Sequence, residues 1–247
     1  MKKELLIFGA NGALGEGVTR TLLQKDYDEV FLFDFNFNDV KTPGKNVKQI
    51  IVNDLSKEEN VSKAFDKISP GKDKTFFLFS TIGGYLGGKT IWETSDDDIE
   101  KMFNINFKTS LFLAKQFSRI VAQSSSGSIC FTAAFTGLNP EAKKAAYGIS
   151  KASLIHLVKT LALEGREIRL SVNAIAPYII DTKANREWML VRPLRSEASQ
   201  SDNVGGKDAD FESLMKPDEI GELIHSIFMN YHFVTGNIIE LTHRFKV

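Results

Sequence analysis

Short, continuously apolar runs alternate along this chain with longer stretches whose apolar residues recur at helical spacing. The runs cover residues 5–8, 30–33, 49–52, 75–79, 128–131, 171–175 and 237–241. Continuous hydrophobicity, rather than strict alternation, is what parallel strands show when helices cover both faces of their sheet. The stretches between them, 15–25, 57–68, 97–122, 145–163 and 218–231, read as amphipathic helices. Ser95 ahead of Asp96, Asp97 and Asp98 marks one helix start, where a capping side chain and negative charges meet the positive end of the helix dipole. Pro217 followed by Asp218 and Glu219 marks another. Strand and helix alternating throughout, joined by right-handed crossovers, predict an α/β fold with a doubly wound, seven-stranded parallel sheet. No internal repeat is visible.

Residues 182–216 break the rhythm, being polar and charged with no regular apolar spacing and with Asn203, Val204, Gly205 and Gly206 near the middle. A disordered surface insertion and a mobile substrate lid are the two readings, and the position of the segment beside the site argued below favours the lid.

A length of 247 residues suits one α/β domain spanning 1–247. Lysine plus arginine equal aspartate plus glutamate at 31 each, so no basic excess points to nucleic acid or to an anionic membrane as partner. No apolar run approaches the roughly 20 residues needed to span a bilayer. The opening Met1, Lys2 and Lys3 precede an apolar stretch too short for a signal peptide, which reads as a first strand. Cys130 is the single cysteine, which excludes an internal disulfide and predicts a reducing, cytoplasmic setting. His156, His225, His232 and His243 are scattered, so no metal is expected.

The turn after the first run reads Gly9, Ala10, Asn11, Gly12, Ala13, Leu14, Gly15. Glycine belongs there because the turn needs unusual dihedrals and because a Cβ would keep phosphate oxygens from the backbone. The helix that follows turns its free N–H groups and positive dipole end toward a pyrophosphate. The second run ends at Asp34, nineteen positions beyond Gly15, where a carboxylate accepts hydrogen bonds from ribose hydroxyls and repels a 2′-phosphate. Phe35, Ala10 and Asn11 offer no basic clamp, so NAD(H) is expected over NADP(H).

Tyr147 and Lys151 stand one turn apart at the start of a helix. A phenol titrates near 10, and a neighbouring ammonium favours its phenolate, so such a pair makes a usable acid/base at neutral pH.

With the glycine turn, Asp34 and Tyr147-x-x-x-Lys151 in this order, the chain resembles the short-chain dehydrogenase/reductase family over nearly its whole length, and the resemblance implies a Rossmann fold. It further implies that Gly9, Asn11, Gly12, Ala13, Leu14 and Gly15 cradle the cofactor phosphates, although Ala13 stands where the family commonly has glycine. By the same resemblance Asp54 and Leu55 contact adenine. Ser80, Thr81, Ile82 and Gly83 replace the usual Asn-Asn-Ala-Gly, with only the glycine kept. Asn106 matches the helix asparagine that holds a relay water. Pro177, Ile180 and Thr182 match the stretch beside the nicotinamide, with Tyr178 in place of a glycine.

The largest departure is Ala134, thirteen residues before Tyr147, where the family has a substrate-orienting serine. Thr132 or Thr136 could supply the missing hydroxyl, the substrate could need none, or the chain could be a degenerate enzyme that holds NADH as a sensor. Several departures are shared with the dihydropteridine reductase branch: the Gly12-Ala13-Leu14-Gly15 turn, the run of Gly83, Gly84, Tyr85, Leu86, Gly87 and Gly88, the absent serine, and Asp210-Phe211 ahead of Pro217. That branch implies hydride transfer to a quinonoid dihydropterin with Tyr147 as proton donor, Lys151 on the nicotinamide ribose and Tyr85 stacked on a flat small-molecule substrate. Another carbonyl or alcohol substrate is the alternative. In the family, helices such as 97–122 and 145–163 pair between subunits, so a homodimer or homotetramer is expected, with Phe103, Phe107, Phe112 and Phe117 as candidate interface residues.

Overall fold

The computed structural model describes residues 1–37, 46–191 and 211–242. All seven expected strands are present: β1 (Lys2–Phe8), β2 (Glu29–Asp34), β3 (Val47–Ile51), β4 (Lys74–Ser80), β5 (Ser126–Thr132), β6 (Leu170–Pro177) and β7 (Ile238–Leu241). They form one parallel sheet in the order β3-β2-β1-β4-β5-β6-β7. The order reverses between β1 and β4, whose last residues Phe8 and Ser80 are register partners. A crevice opens beyond the carboxyl ends of strands at such a switch point, which is where open α/β sheets bind ligands.

Alternate strand residues feed two apolar layers. Leu6, Phe8, Phe31, Phe33, Leu78, Ile129 and Phe131 point to one face, under α2 (Glu58–Phe65), α4 (Thr109–Ala122) and α6 (Ala145–Glu164). Leu5, Ile7, Val30, Leu32, Phe77, Phe79 and Cys130 point to the other, under α1 (Ala13–Leu22) and α8 (Pro217–Met229). Burial on both faces explains why these strands read as unbroken apolar runs. The edge strand β3 is the exception, with Ile51 exposed. Cys130 is fully buried among apolar side chains. No helix among the described residues is long and apolar enough to cross a membrane.

The structure corrects the sequence reading in three places. The single helix expected over 97–122 is α3 (Asp96–Phe103), then a wider π turn at Asn104–Lys108, then α4. Such one-turn bulges let a helix present a residue that regular spacing would hide, and here that residue is Asn106. Ser95 does cap α3, its hydroxyl accepting the Asp98 N–H at 3.2 Å.

Phe117 lies in the core with no exposure and is unavailable to a partner, whereas Phe103, Phe107 and Phe112 are partly exposed. The reason is the phase of α4, which turns Leu113, Phe117 and Val121 together onto the sheet.

The segment 182–216 is not irregular throughout. It begins with α7 (Lys183–Val191), and Phe211–Ser213 form a 3₁₀ turn. Arg186 of α7 pairs with Asp181 and lies over the Phe211 ring. These tertiary anchors hold a helix whose own apolar spacing is weak. Asn203, Val204, Gly205, Gly206, Asp210 and His243 lie outside the described residues.

Candidate active site

Beyond β1 the chain turns at Gly9, which has φ of +80°, a region open to glycine at no steric cost. A Cβ on Gly9 would come within 2.3 Å of the Thr81 hydroxyl, and one on Gly15 within 1.9 Å of the Gly9 carbonyl. Both glycines are therefore required for the loop to close on itself. Gly12 is the N-cap of α1 and no side chain caps the helix, so the first-turn amides, including those of Ala13 and Leu14, present the positive helix end to the crevice.

The Asp34 carboxylate ties this loop to β2 by accepting the Asn11 N–H at 2.8 Å, and it also accepts the Phe35 N–H at 2.8 Å. The Asn11 side chain reaches Asn36. A cavity of about 570 Å³ opens here, lined by Gly9, Gly12, Asp34, Asp54, Leu55 and Gly83 among others. Hydrogen bonds from the Ser56 hydroxyl and amide hold the Asp54 carboxyl below the usual carboxylate range.

A second cavity of about 450 Å³ continues from the first, the two sharing Thr81 and Gly83. Tyr147 and Lys151, in the first two turns of α6, stand on its wall with Ala134. Lys151 is 3% exposed, and its ammonium donates to the Thr132 carbonyl at 2.7 Å. Burial brings its pKa down to about 8, because the interior disfavours the charged form. Burial also pushes the Tyr147 phenol up, with smaller contributions in the same direction from Tyr85 and the Glu141 carboxylate. The expected lowering by the Lys151 ammonium is thus not among the influences on this phenol, all of which raise it.

Asn106 is fully buried and saturated with partners. Its Oδ1 accepts the Gly84 N–H at 2.9 Å, and its Nδ2 donates to the Gly84 carbonyl and the Ser150 hydroxyl, each at 3.0 Å. Between Asn106 and Lys151 lies Gly83, where a Cβ would be 2.8 Å from the Asn106 oxygen and 2.9 Å from the lysine nitrogen. That squeeze explains why this glycine stands while its three predecessors differ from the family pattern.

Ala134 is 4% exposed at the end of β5 and has no polar atom to offer from its side chain. The Thr132 hydroxyl donates to the Ser80 carbonyl at 2.8 Å, and Thr136 donates to Glu141. Tyr85, 57% exposed, meets Tyr147 edge to face with ring centroids 5.1 Å apart. Pro177, Tyr178 and Ile180 form the opposite wall, with Tyr178 edge-on to Phe135. Thr182 is just past that wall, and its hydroxyl accepts the Asn185 N–H at the start of α7. Ile180, rather than Thr182, faces the cavity, because Thr182 is taken up in starting a helix.

Several residues lining the second cavity were not foreseen from sequence, among them Glu141, Lys144, Asn185 and Trp188. Glu141 and Lys144 look like an ordinary charged turn, and Asn185 and Trp188 lie in the segment read as irregular. Glu141, six residues before Tyr147 on a chain returning to the site, was the available signal. Among the described residues no three His, Cys, Asp or Glu side chains gather as a metal site.

Comparison with known proteins agrees with this geometry. A curated dihydropteridine reductase of Dictyostelium discoideum is 26% identical over 191 residues, covering 76% of this chain and 79% of that protein. Carbonyl reductase family member 4 of Xenopus tropicalis is 26% identical over 184 residues, covering 74% and 77%. Among solved structures, ElxO with NADP bound superposes with a TM-score of 0.79 at 23% identity, covering 98% of this chain and 97% of that one. The sequence profile described as short chain dehydrogenase matches residues 3–191. Fold, crevice and profile agree, and the chain belongs to the short chain dehydrogenase family of nicotinamide-dependent oxidoreductases.

Proposed function

We propose that this chain is an NADH-dependent reductase of a flat, quinonoid dihydropterin-like substrate, with Tyr147 as the proton donor. The observation that carries the reading is the packing of Lys151 and Asn106 around Gly83, in a cavity that Tyr147 also lines and whose serine position is Ala134. A site without a serine suits a substrate whose reducible bond needs no hydroxyl to polarise it. The likeness to the Dictyostelium discoideum dihydropteridine reductase supports the same choice.

The residues present fit a nicotinamide dinucleotide. The uncapped start of α1 beyond Gly9 and Gly12 suits a pyrophosphate, Asp34 a ribose, Asp54 and Leu55 an adenine, and Pro177 and Ile180 the carboxamide side. When bound, that cofactor supplies the hydride. Lys151 keeps two ammonium protons beyond the one given to Thr132, enough to hold a ribose hydroxyl and stabilise the tyrosine oxygen. Tyr147 releases its phenolic proton to the substrate atom that gains charge, and Asn106, bonded to both backbone groups of Gly84, positions the chain beside it. Tyr85, already edge-on to Tyr147, provides an aromatic surface for the substrate.

The NADH preference rests on the Asp34 carboxylate at the mouth of the first cavity, although ElxO was solved with NADP. Reduction of a simple carbonyl is the second reading, supported by the likeness to carbonyl reductase family member 4. The proposal extends to one domain over 1–247, to a lid over 182–216 of which residues 192–210 lie outside the described residues and α7 brings Asn185 and Trp188 to the cavity wall, and to a homodimer or homotetramer through the partly exposed Phe103, Phe107 and Phe112. The buried Cys130 accords with a cytoplasmic setting.

Following NADH absorbance with quinonoid dihydropterin, and with aldehydes and ketones in parallel, tests the reading. Rapid pterin-dependent oxidation, faster with NADH than NADPH, is the expected result. Turnover of carbonyls alone would replace the pterin reading by the second, and NADH binding without any turnover would leave a sensor.

A further inference from the structure

The substrate cavity has one polar corner that the proposed reaction leaves unused. Thr136 lies in the short helix α5 (Phe135–Leu138) after β5, Glu141 and Lys144 lie in the approach to α6, and all three line the cavity with Tyr147. The Thr136 hydroxyl donates to Glu141 Oε1 at 2.5 Å, and the Lys144 ammonium donates to Glu141 Oε2 at 2.5 Å. Gly148 allows this corner to approach the catalytic helix, since a Cβ there would be 3.3 Å from the Thr136 methyl and carbonyl.

A hydroxyl has one proton to give and two lone pairs with which to receive. The second oxygen accepts from the Lys144 ammonium, and a carboxylate paired in this way only accepts. The Thr136 proton is therefore committed to Glu141, as that of Thr132 is to the Ser80 carbonyl. Ala134 has none to give. The Thr136 oxygen accordingly offers a ligand only lone pairs, and a substrate carbonyl oxygen placed against it would meet repulsion; the donors left in this corner are the two remaining Lys144 ammonium protons. A group with an N–H would find the partner it needs. The Glu141–Lys144 pair carries no net charge, so the corner suits a neutral donor over a cation.

We propose that Glu141, acting through Thr136, determines specificity by making the Thr136 oxygen an acceptor, selecting flat substrates that carry an N–H close to the bond being reduced, such as a ring amide. This rests on the reductase reading of the Tyr147 site and narrows its substrate class.

Isatin and N-methylisatin are flat ketones that differ in whether the ring nitrogen bears hydrogen. The measurement is the ratio of their kcat/KM values with NADH, together with their Kd values for the protein–NADH complex. Wild type should favour isatin by about tenfold or more, because a site built around a donor rejects the analogue lacking it. Glu141→Leu, which removes the acceptor that holds the Thr136 proton, and Thr136→Val should each bring the ratio to within about threefold of unity. Ala134→Ser should raise turnover of N-methylisatin by restoring a donor for its carbonyl. Lys144→Met should retain the isatin preference, since it leaves the Thr136–Glu141 bond in place, and it tests the corner even where Glu141→Leu fails to fold.

Equal kcat/KM and Kd values for the two ketones in wild type overturn the proposal. So does an unchanged ratio in a Glu141→Leu protein that melts and binds NADH like wild type, and so does failure to bind either ketone. Quinonoid dihydropterin in the same assay separates the two readings. Silence with the pterin beside an intact isatin preference removes the pterin and leaves the role of Glu141. Pterin turnover with no isatin preference does the reverse.

Discussion

The Lys151 ammonium donates to the Thr132 carbonyl across a distance of 2.7 Å, joining the second turn of α6 to the last residue of β5. This bond aims the lysine along the floor of the crevice. It also keeps a charge in a site where burial has brought the pKa down to about 8.

The cost of that buried charge predicts a pH dependence. Below pH about 8 the folded protein carries the charge at full desolvation cost; between about 8 and the unfolded value near 10.5 the folded group is neutral while the unfolded one still binds its proton. Stability from this group therefore rises with pH across that window. Melting temperatures of wild type and Lys151→Met, compared from pH 7 to 10.5, should shift relative to each other in favour of wild type. A constant difference would mean that the lysine is not desolvated.

Tyr147→Phe removes the proton donor and little else, because the ring contact with Tyr85 remains. We expect kcat to fall by about 10²–10⁴-fold while NADH affinity, read by fluorescence, stays within a few-fold of wild type. Full turnover in this variant would assign the proton to another group.

The position at which Tyr147 titrates should respond to Glu141. Burial is the main cause that raises this phenol, and the negative carboxylate adds to it. A proton donor works only while protonated, so activity is lost as pH rises through its pKa. Glu141→Gln should move the alkaline limb of the kcat/KM profile to lower pH. A limb that stays in place would show that the carboxylate is not felt at the phenol.

Gly83→Ala places a methyl group 2.8 Å from the Asn106 oxygen and 2.9 Å from the Lys151 nitrogen. Crowding of this kind in a packed site costs roughly 1–3 kcal/mol. Both displaced groups belong to the proposed site, so kcat should drop more sharply than the melting temperature. Wild-type kinetics in this variant would mean that the lysine moves aside freely.

Asp34→Ala should shift the NADH to NADPH preference, expressed as a kcat/KM ratio, by about tenfold or more toward NADPH. It should also lower stability by roughly 1–2 kcal/mol, because the Asn11 N–H loses its partner. An unchanged ratio would move cofactor choice to other residues of the cleft.

The sheet was legible because its chemistry is local. Runs such as those around Phe31 and Phe77 are apolar on both sides, which only a doubly covered strand requires. The glycine turn and the Tyr147–Lys151 spacing were legible for the same reason, since each is set within one loop or one helical turn. The break at Asn104–Lys108 was not, because nothing in the spacing of 97–122 shows that Asn106 must reach the backbone of Gly84, 22 residues earlier. Helix α7 was hidden because its anchors, Asp181 and Phe211, lie outside it in sequence.

The sequence by itself determined the order of strands and helices, the place of the nucleotide turn and the pairing of tyrosine with lysine, because periodicity and short spacings carry these directly. Only the tertiary structure decided which polar groups remain free at the site. The committed proton of Thr132, the Thr136–Glu141–Lys144 corner and the squeeze of Gly83 between Asn106 and Lys151 all depend on distances between separate elements. A hydrogen bond is decided by tenths of an ångström and by direction, and neither is fixed until the sheet and its helices have packed.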